Sequence, residues 1–303
     1  MAQATTEAGV DDGPAIGALA PWFGGKRTMA PEIVRALGPH SVYWEVFCGS
    51  MAVLMAKPKC RSEVVNDLHG DLVNLARVIQ HPTEGPRLYR RLRRVPHSEE
   101  LFRESRRTLV EGEAPGDGPD LERAYHYFVV SWQGMNGVAG TPFHHLHFAR
   151  RFSSLGGDAG TRWVGAVRSI PSWRRRMEGV QVLRSDGIEL CAKIEDRDGV
   201  AIYADPPYLV KGAKYLHDFA SDDHKRLAAA LARFRRTRVV VSYYDHPELE
   251  SLYPGWHTRR VDVAKSLVNQ GKRDQGGRTS APEVLLSNLP FADEPPSLFG
   301  DHS

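Results

Sequence analysis

Six short apolar runs recur along the chain, and five of the six end on an acid or an amide. They are Ser41–Phe47, Ser62–Asp67, Gly179–Asp186, Gly199–Asp205, Thr237–Asp245 and Glu283–Asn288. Their β-branched bias and shortness read as buried strands. The intervening stretches carry helical patterns: an apolar one from Gly49 to Ala56, "DLVNLARVIQ" (71–80) and "DDHKRLAAALARF" (222–234). Strands that alternate with helices at this spacing imply an α/β fold with a mostly parallel sheet covered on both faces. The middle of the chain breaks the rhythm. From about Pro82 to Pro171 it is Arg-rich, with a turn cluster "GEAPGDGPD" (112–120), a helical stretch "LERAYHYFVVSW" (121–132) and a Gly/His-rich loop from Gly134 to Gly160. This segment reads as an insertion or second lobe.

In a doubly wound sheet, ligands sit beyond the carboxyl ends of the strands. The first run continues into "CGSMAV", where Gly49 allows a tight turn and close approach of backbone to a ligand. The second ends in Asn66-Asp67, an acid about 20 residues after the glycine turn and suited to ribose hydroxyls. Gly179–Asp186 ends in Ser185-Asp186. Together these residues suggest a cofactor containing a nucleoside. The glycine turn is not GxGxxG, which disfavours a dinucleotide, and GxxxxGK[ST] is absent, which excludes a P-loop. The fourth run ends in Asp205-Pro206-Pro207-Tyr208. An ionised Asp is purely an acceptor, the prolines stiffen the loop, and Tyr208 offers a flat face. Acceptors beside a stacking plane describe a pocket for an amino-bearing base drawn out of its helix.

Charge and cysteines narrow the class less. The formal net charge is only +3, but arginines cluster in "RLYRRLRRV" (87–95), "FARRF" (148–152) and "SWRRRM" (172–177), which shifts the reading toward a polyanion. Each cluster also suits a solvated helix face. The three cysteines, Cys48, Cys60 and Cys191, have no metal-binding spacing and read as reduced thiols. No apolar run approaches the roughly 18 residues of a membrane span. "HHLHF" (144–148) has no acid or thiol beside it at ligand spacing, so it reads as a polar or phosphate-facing loop rather than a metal site.

The ordered motifs resemble the Dam-type DNA adenine-N6 methyltransferases, the α-group of S-adenosylmethionine (AdoMet)-dependent amino-methyltransferases. "PWFGGKR" (21–27) is similar to the family's N-terminal motif, "EVFCGSMAV" (45–53) to its glycine motif, "VNDLHGDLVNL" (65–75) to its acidic motif and "DPPY" (205–208) to its catalytic motif. The resemblance implies a Rossmann-like catalytic domain over 21–81 and 179–290, with a mainly helical DNA-recognition lobe over 82–178. Residues 1–20 and 291–303 are expected to be flexible ends. It implies AdoMet as the cofactor, with no metal. Trp22, Lys26, Phe47, Gly49, Asp67, Asp186 and Asp205 would bind the cofactor, Lys26 through its carboxylate end. Asp205, Pro206 and Tyr208 would be catalytic. Asn136, Arg150, Arg151, Arg174 and Arg175 are candidate DNA contacts. The segment "WQGMNG" (132–137) has Trp132 or a neighbour where the family usually has an arginine.

The implied reaction moves a methyl group to N6 of a flipped adenine in double-stranded DNA, in the cytoplasm of a bacterial or phage-infected cell. A cognate restriction endonuclease is a further partner that some such systems bring. Two alternatives stand beside it. One is methylation of RNA adenine or a protein glutamine through a related Pro-Pro-Tyr corner. The other is a homologue that binds DNA or AdoMet without turnover.

Overall fold

The computed structural model describes residues 17–22, 24–135, 140, 142–150, 158–209, 219–261 and 283–293. Within them the apolar runs pair into one seven-stranded sheet. Its strands are β1 (Val42–Glu45), β2 (Ser62–Asn66), β3 (Gln181–Leu183), β4 (Val200–Ala204), β5 (Arg238–Tyr244), β6 (His257–Val261) and β7 (Glu283–Ser287). The order is β3-β2-β1-β4-β5-β7-β6. Strands β3, β2, β1, β4 and β5 are parallel, and β7 runs antiparallel to both β5 and β6. The order reverses between β1 and β4, the switch point at which doubly wound sheets open a crevice.

All six runs become strands, each trimmed at one or both ends. The seventh strand, β6, escapes the sequence reading because "HTRRV" lacks an apolar pattern. It is an edge strand with largely exposed side chains, and charge at an edge discourages pairing with other chains.

Alternation along the strands builds two cores. Tyr43, Ala201, Tyr203 and Val240 face one side; Val42, Val200, Ile202, Ala204, Val239 and Val241 face the other. The second face is covered by α8 (Gly187–Lys193) and α9 (Ser221–Ala232), with α10 (Glu248–Leu252) beside them. The first face carries α1 (Ala30–Leu37), α2 (Ala52–Ala56) and α3 (Gly70–Gln80). On α3 pack α4 (Glu84–Leu92), α6 (Leu121–Gln133) and α7 (Ala159–Met177), with α5 (Glu99–Glu111) on α6.

Several boundaries differ from the sequence reading for physical reasons. The helix expected from Gly49 begins only at Ala52, because Gly49 and Met51 have φ of +43° and +59° and form a left-handed turn instead. Pro171 does not end the middle segment. Helix α7 runs through it, held by the buried neighbours Ile170 and Trp173. Ala18, Leu19 and Ala20 are buried, and the Leu19 N–H donates to the Ser50 carbonyl, so the expected flexible lead-in is too long by at least three residues. At the other end Phe291 is buried and Asp293 pairs with Arg259, so the tail also begins later than expected. Cys48, Cys60 and Cys191 are free thiols.

Candidate active site

The carboxyl ends of β1, β2, β3 and β4 converge on a cleft, and Asn66 ties three of them together. Its Nδ2 donates to the carbonyls of Val46 (3.0 Å) and Ser185 (2.9 Å), while its Oδ1 accepts from the N–H and Oγ of Ser185 (both 2.9 Å). Burial without loss of any of these bonds makes this amide a rigid clamp. It fixes the two acids that follow β2 and β3.

Asp67 closes the glycine turn. Its Oδ2 accepts the Gly49 N–H at 2.8 Å and its Oδ1 the His69 N–H at 2.9 Å. Each carboxylate oxygen keeps a lone pair for a ligand hydroxyl. Gly49 has no room for a side chain: a Cβ there would lie 2.8 Å from the Trp22 Nε1, and its φ is positive. Asp186 caps α8, accepting the N–H groups of Ile188 (2.7 Å) and Glu189 (3.0 Å) through Oδ1 alone. Trp22 stands edge-on to His69, with ring centroids 5.3 Å apart.

The cleft so formed is lined by Trp22, Phe47, Gly49, Asn66, Asp67, Leu68, His69, Gly140, Ser185, Asp186, Gly187, Ile188, Asp205, Pro207, Phe219 and Asp223. Its empty volume, counted out into the open mouth, is about 870 Å³. Aromatic and aliphatic walls alternate with acceptors, a combination that fits a flat base and a hydroxylated sugar. Six of the seven expected cofactor residues therefore come together.

Lys26 is the exception. It lines a smaller adjoining cavity with Glu45, Tyr203 and Asp205. Its Nζ lies 2.9 Å from the Asp205 Oδ1 and 3.5 Å from the Glu283 Oε2, and it donates to the Tyr208 OH at 2.6 Å and the Gly24 carbonyl at 3.1 Å. Burial works against its charge, but Asp205 and Glu283 outweigh it and hold Lys26 charged well above the ordinary lysine range. In this arrangement Lys26 is held by Asp205, Glu283 and Tyr208 beside the cleft.

The corner itself follows β4. Asp205 faces the cleft, and its Oδ1 also accepts from the Ser242 Oγ at 2.8 Å. Burial pushes the Asp205 carboxyl above its ordinary range, opposed by Lys26 and Ser242. Pro206 is buried and Pro207 forms cleft wall. Tyr208 does not offer the open face expected from the sequence. It is 8% exposed, and its ring packs against Tyr244, tilted by 32°, at a centroid separation of 4.1 Å. No base fits between rings so close.

The expected DNA contacts scatter. Arg150 is half-exposed and pairs with Glu99, on the segment that also supplies Gly140 to the cleft. Arg174 and Arg175 lie in the last turn of α7. Neighbouring Arg176 is anchored to Glu63 near the start of β2, and Met177 receives the Gln80 side chain at the end of α3. The cluster thus lies at the amino edge of the sheet, away from the cleft at the carboxyl edge. Asn136 and Arg151 lie outside the described residues. Among those described, no group of three His, Cys, Asp or Glu side chains is placed to hold a metal, and no helix is long and apolar enough to cross a membrane.

Sequence reasoning missed Ser242, Glu283 and Tyr244, and it named Asn66 at the end of the second run without its clamping role. Ser242 left a trace, as the single hydroxyl in the apolar strand "VVVSYY". Glu283 left none, because its role depends on pairing across the sheet.

Residues 22–125 match the family model described as D12 class N6 adenine-specific DNA methyltransferase. The match takes in the first three motifs, and the Asp205 corner lies beyond it; what joins that corner to them is the shared cleft. No curated protein matches the chain.

Proposed function

We propose, for a chain that belongs to the D12 class of N6 adenine-specific DNA methyltransferases, that Asp205 is the acceptor for the target adenine amine and that the cleft before it holds AdoMet. The family methylates DNA adenine, and methyltransferases of this kind draw on AdoMet in general. The single observation that carries the residue-level reading is the convergence of Asp67, Asp186 and Asp205 on one aromatic-walled cleft.

The roles follow from chemistry. Asp67, with a free lone pair on each oxygen, suits the ribose hydroxyls, and the unshared oxygen of Asp186 suits the adenine end of the cofactor. Trp22 and Phe47 supply apolar walls. When bound, AdoMet supplies a methyl group already activated on a sulfonium. Adenine N6 is a poor nucleophile because its lone pair is delocalised into the ring. Asp205 accepts from the amine and stabilises positive charge as it develops on nitrogen, and the Pro206 carbonyl is the candidate second acceptor. The nitrogen then sheds a proton to solvent water. Fixing the two reactants in line supplies much of the remaining acceleration. The base is reached by flipping from the duplex, and Tyr208 becomes its stacking partner once Tyr244 yields its place. A cognate endonuclease is a partner that only the family habit suggests.

The test is methyl transfer from labelled AdoMet to DNA lacking adenine methylation, read by nucleoside mass spectrometry, with Asp205→Ala in parallel. N6-methyladenine should form with the wild type and fall at least 10³-fold with the variant, about 4 kcal/mol of transition-state stabilisation. Product from Asp205→Ala at the wild-type rate would remove Asp205 from the mechanism.

A further inference from the structure

We infer that Ser242 and Tyr203 form a hydroxyl chain that fixes Asp205, saturating one carboxylate oxygen so that the other is presented to the substrate amine. Ser242 is thus a positioning residue for methyl transfer. The inference rests on the reading of Asp205 as the amine acceptor and adds how that acceptor is aimed.

Register brings the three residues together. Strands β4 and β5 pair Tyr203 with Val240 and Ala204 with Val241. One step further, Asp205 stands opposite Ser242. Because side chains alternate, Tyr203, Asp205 and Ser242 all point to the same face. Ser242 and Tyr203 are buried, at 0% and 1% exposure.

The hydrogen bonds have only one consistent direction. Ionised Asp205 cannot donate, so the single Ser242 hydroxyl hydrogen goes to Oδ1 at 2.8 Å. The 2.8 Å contact between the Tyr203 OH and the Ser242 Oγ must then be donated by Tyr203. Each donor polarises the next, so the chain strengthens toward the carboxylate. Lys26 falls on the same Oδ1 at 2.9 Å. Two donors therefore occupy one oxygen, and among the described residues no protein donor meets Oδ2. The Asp205 side chain keeps 21% exposure and forms part of the cleft wall. A carboxylate held by one oxygen on two elements cannot rotate to exchange them.

The experiment measures single-turnover methyl transfer against pH. Enzyme is in excess over plasmid DNA prepared without adenine methylation, and AdoMet affinity is measured by calorimetry on the same samples. Ser242→Ala should slow the step by about 10- to 100-fold, the effect of one hydrogen bond to a charged group, with AdoMet affinity within about twofold of wild type. Its acid limb should move to higher pH, because a lost donor makes the carboxyl easier to protonate. Tyr203→Phe should shift the limb in the same direction with a smaller rate loss. Ser242→Thr, which keeps the hydroxyl, should restore both. The double variant should be little slower than Ser242→Ala alone, since the chain acts as one unit. A wild-type rate and unmoved limb in Ser242→Ala, beside an inactive Asp205→Ala, would overturn the chain and leave the acceptor intact. An active Asp205→Ala would remove the acceptor itself. Should Ser242→Ala fail to fold, Tyr203→Phe decides by the same two readouts.

Discussion

Glu45 is a buried acid that the proposed chemistry does not use. It ends β1 at 2% exposure, and its Oε2 accepts the Tyr43 OH at 2.9 Å and the Leu54 N–H at 3.1 Å. Burial outweighs these bonds and pushes the carboxyl up to about 8 from 4.5. Between those values the folded protein holds a proton that the unfolded chain has lost. Stability from this group is therefore present below about pH 4.5 and declines as pH rises toward 8, by roughly 3–5 kcal/mol in total. Glu45→Gln keeps a carbonyl acceptor and cannot ionise. Urea unfolding at pH 5 and pH 9 should show the variant gaining on wild type by that amount at the higher pH, and a constant gap would mean that Glu45 is charged in both states. The same scale shows what sequence can reveal. Asp67, Asp186 and Asp205 were legible because each closes an apolar run, and strand ends are where ligands sit. Ser242 and Glu283 were not, because a polar residue inside a strand gains meaning only from the neighbouring strand's register. Tyr208 was recognised, but its packing against Tyr244 was not, since nothing local links residues so far apart in sequence.

At the level of elements, α7 shows how one arginine run serves different ends. Arg176 meets the buried Glu63 through both of its Nη atoms (2.6 and 2.8 Å), and Lys57 meets the same carboxylate at 2.6 Å. Arg176 and Lys57 hold Glu63 below its ordinary range despite burial. The trio pins the end of α7 to the start of β2. Arg175 is exposed and, among the described residues, meets Ser172 at 3.2 Å. Removing Arg176 should cost about 3 kcal/mol, the range for breaking a buried pair while its partner stays behind, measured by urea unfolding of Arg176→Ala. Arg175→Ala should leave both stability and DNA affinity unchanged, with the same salt slope, because it stands at the amino edge of the sheet. A salt slope reduced by about one phosphate contact would restore it to the DNA interface. Charge clustering announces a helix face but not which end of a sheet that face meets. The strands themselves were legible because period-two alternation and short length are local properties. Edge strand β6, whose burial on one side is slight, lacked that signal.

Across the whole molecule, the middle segment is less separate than its sequence suggests. Leu88 of α4, Phe102 of α5, Phe128 of α6 and Trp173 of α7 belong to the same buried cluster as Tyr43, Val65 and Tyr203 of the sheet. Trp132 lies at the join. Its ring stacks on Trp173 at 6.2 Å, and its Nε1 donates to the Leu19 carbonyl at 3.0 Å, linking α6 to the chain before the first motif. The break in rhythm is real, since no strand is described between Asn66 and Gln181, but a break in pattern is not a break in core. A lobe with its own core would unfold independently; helices that share the sheet's core must melt with it. The cleft also depends on this union, because it takes Gly140 from the middle segment and Trp22 from the first. Urea unfolding followed by tryptophan fluorescence, which reports on Trp132, Trp163 and Trp173 together with the others, should coincide with the far-ultraviolet dichroism curve. Trp132→Ala should lower stability by about 3–5 kcal/mol and move both curves by the same amount. Separated midpoints in the wild type, or a shift confined to fluorescence in the variant, would show two independently folding units and return the middle segment to the status of an inserted lobe.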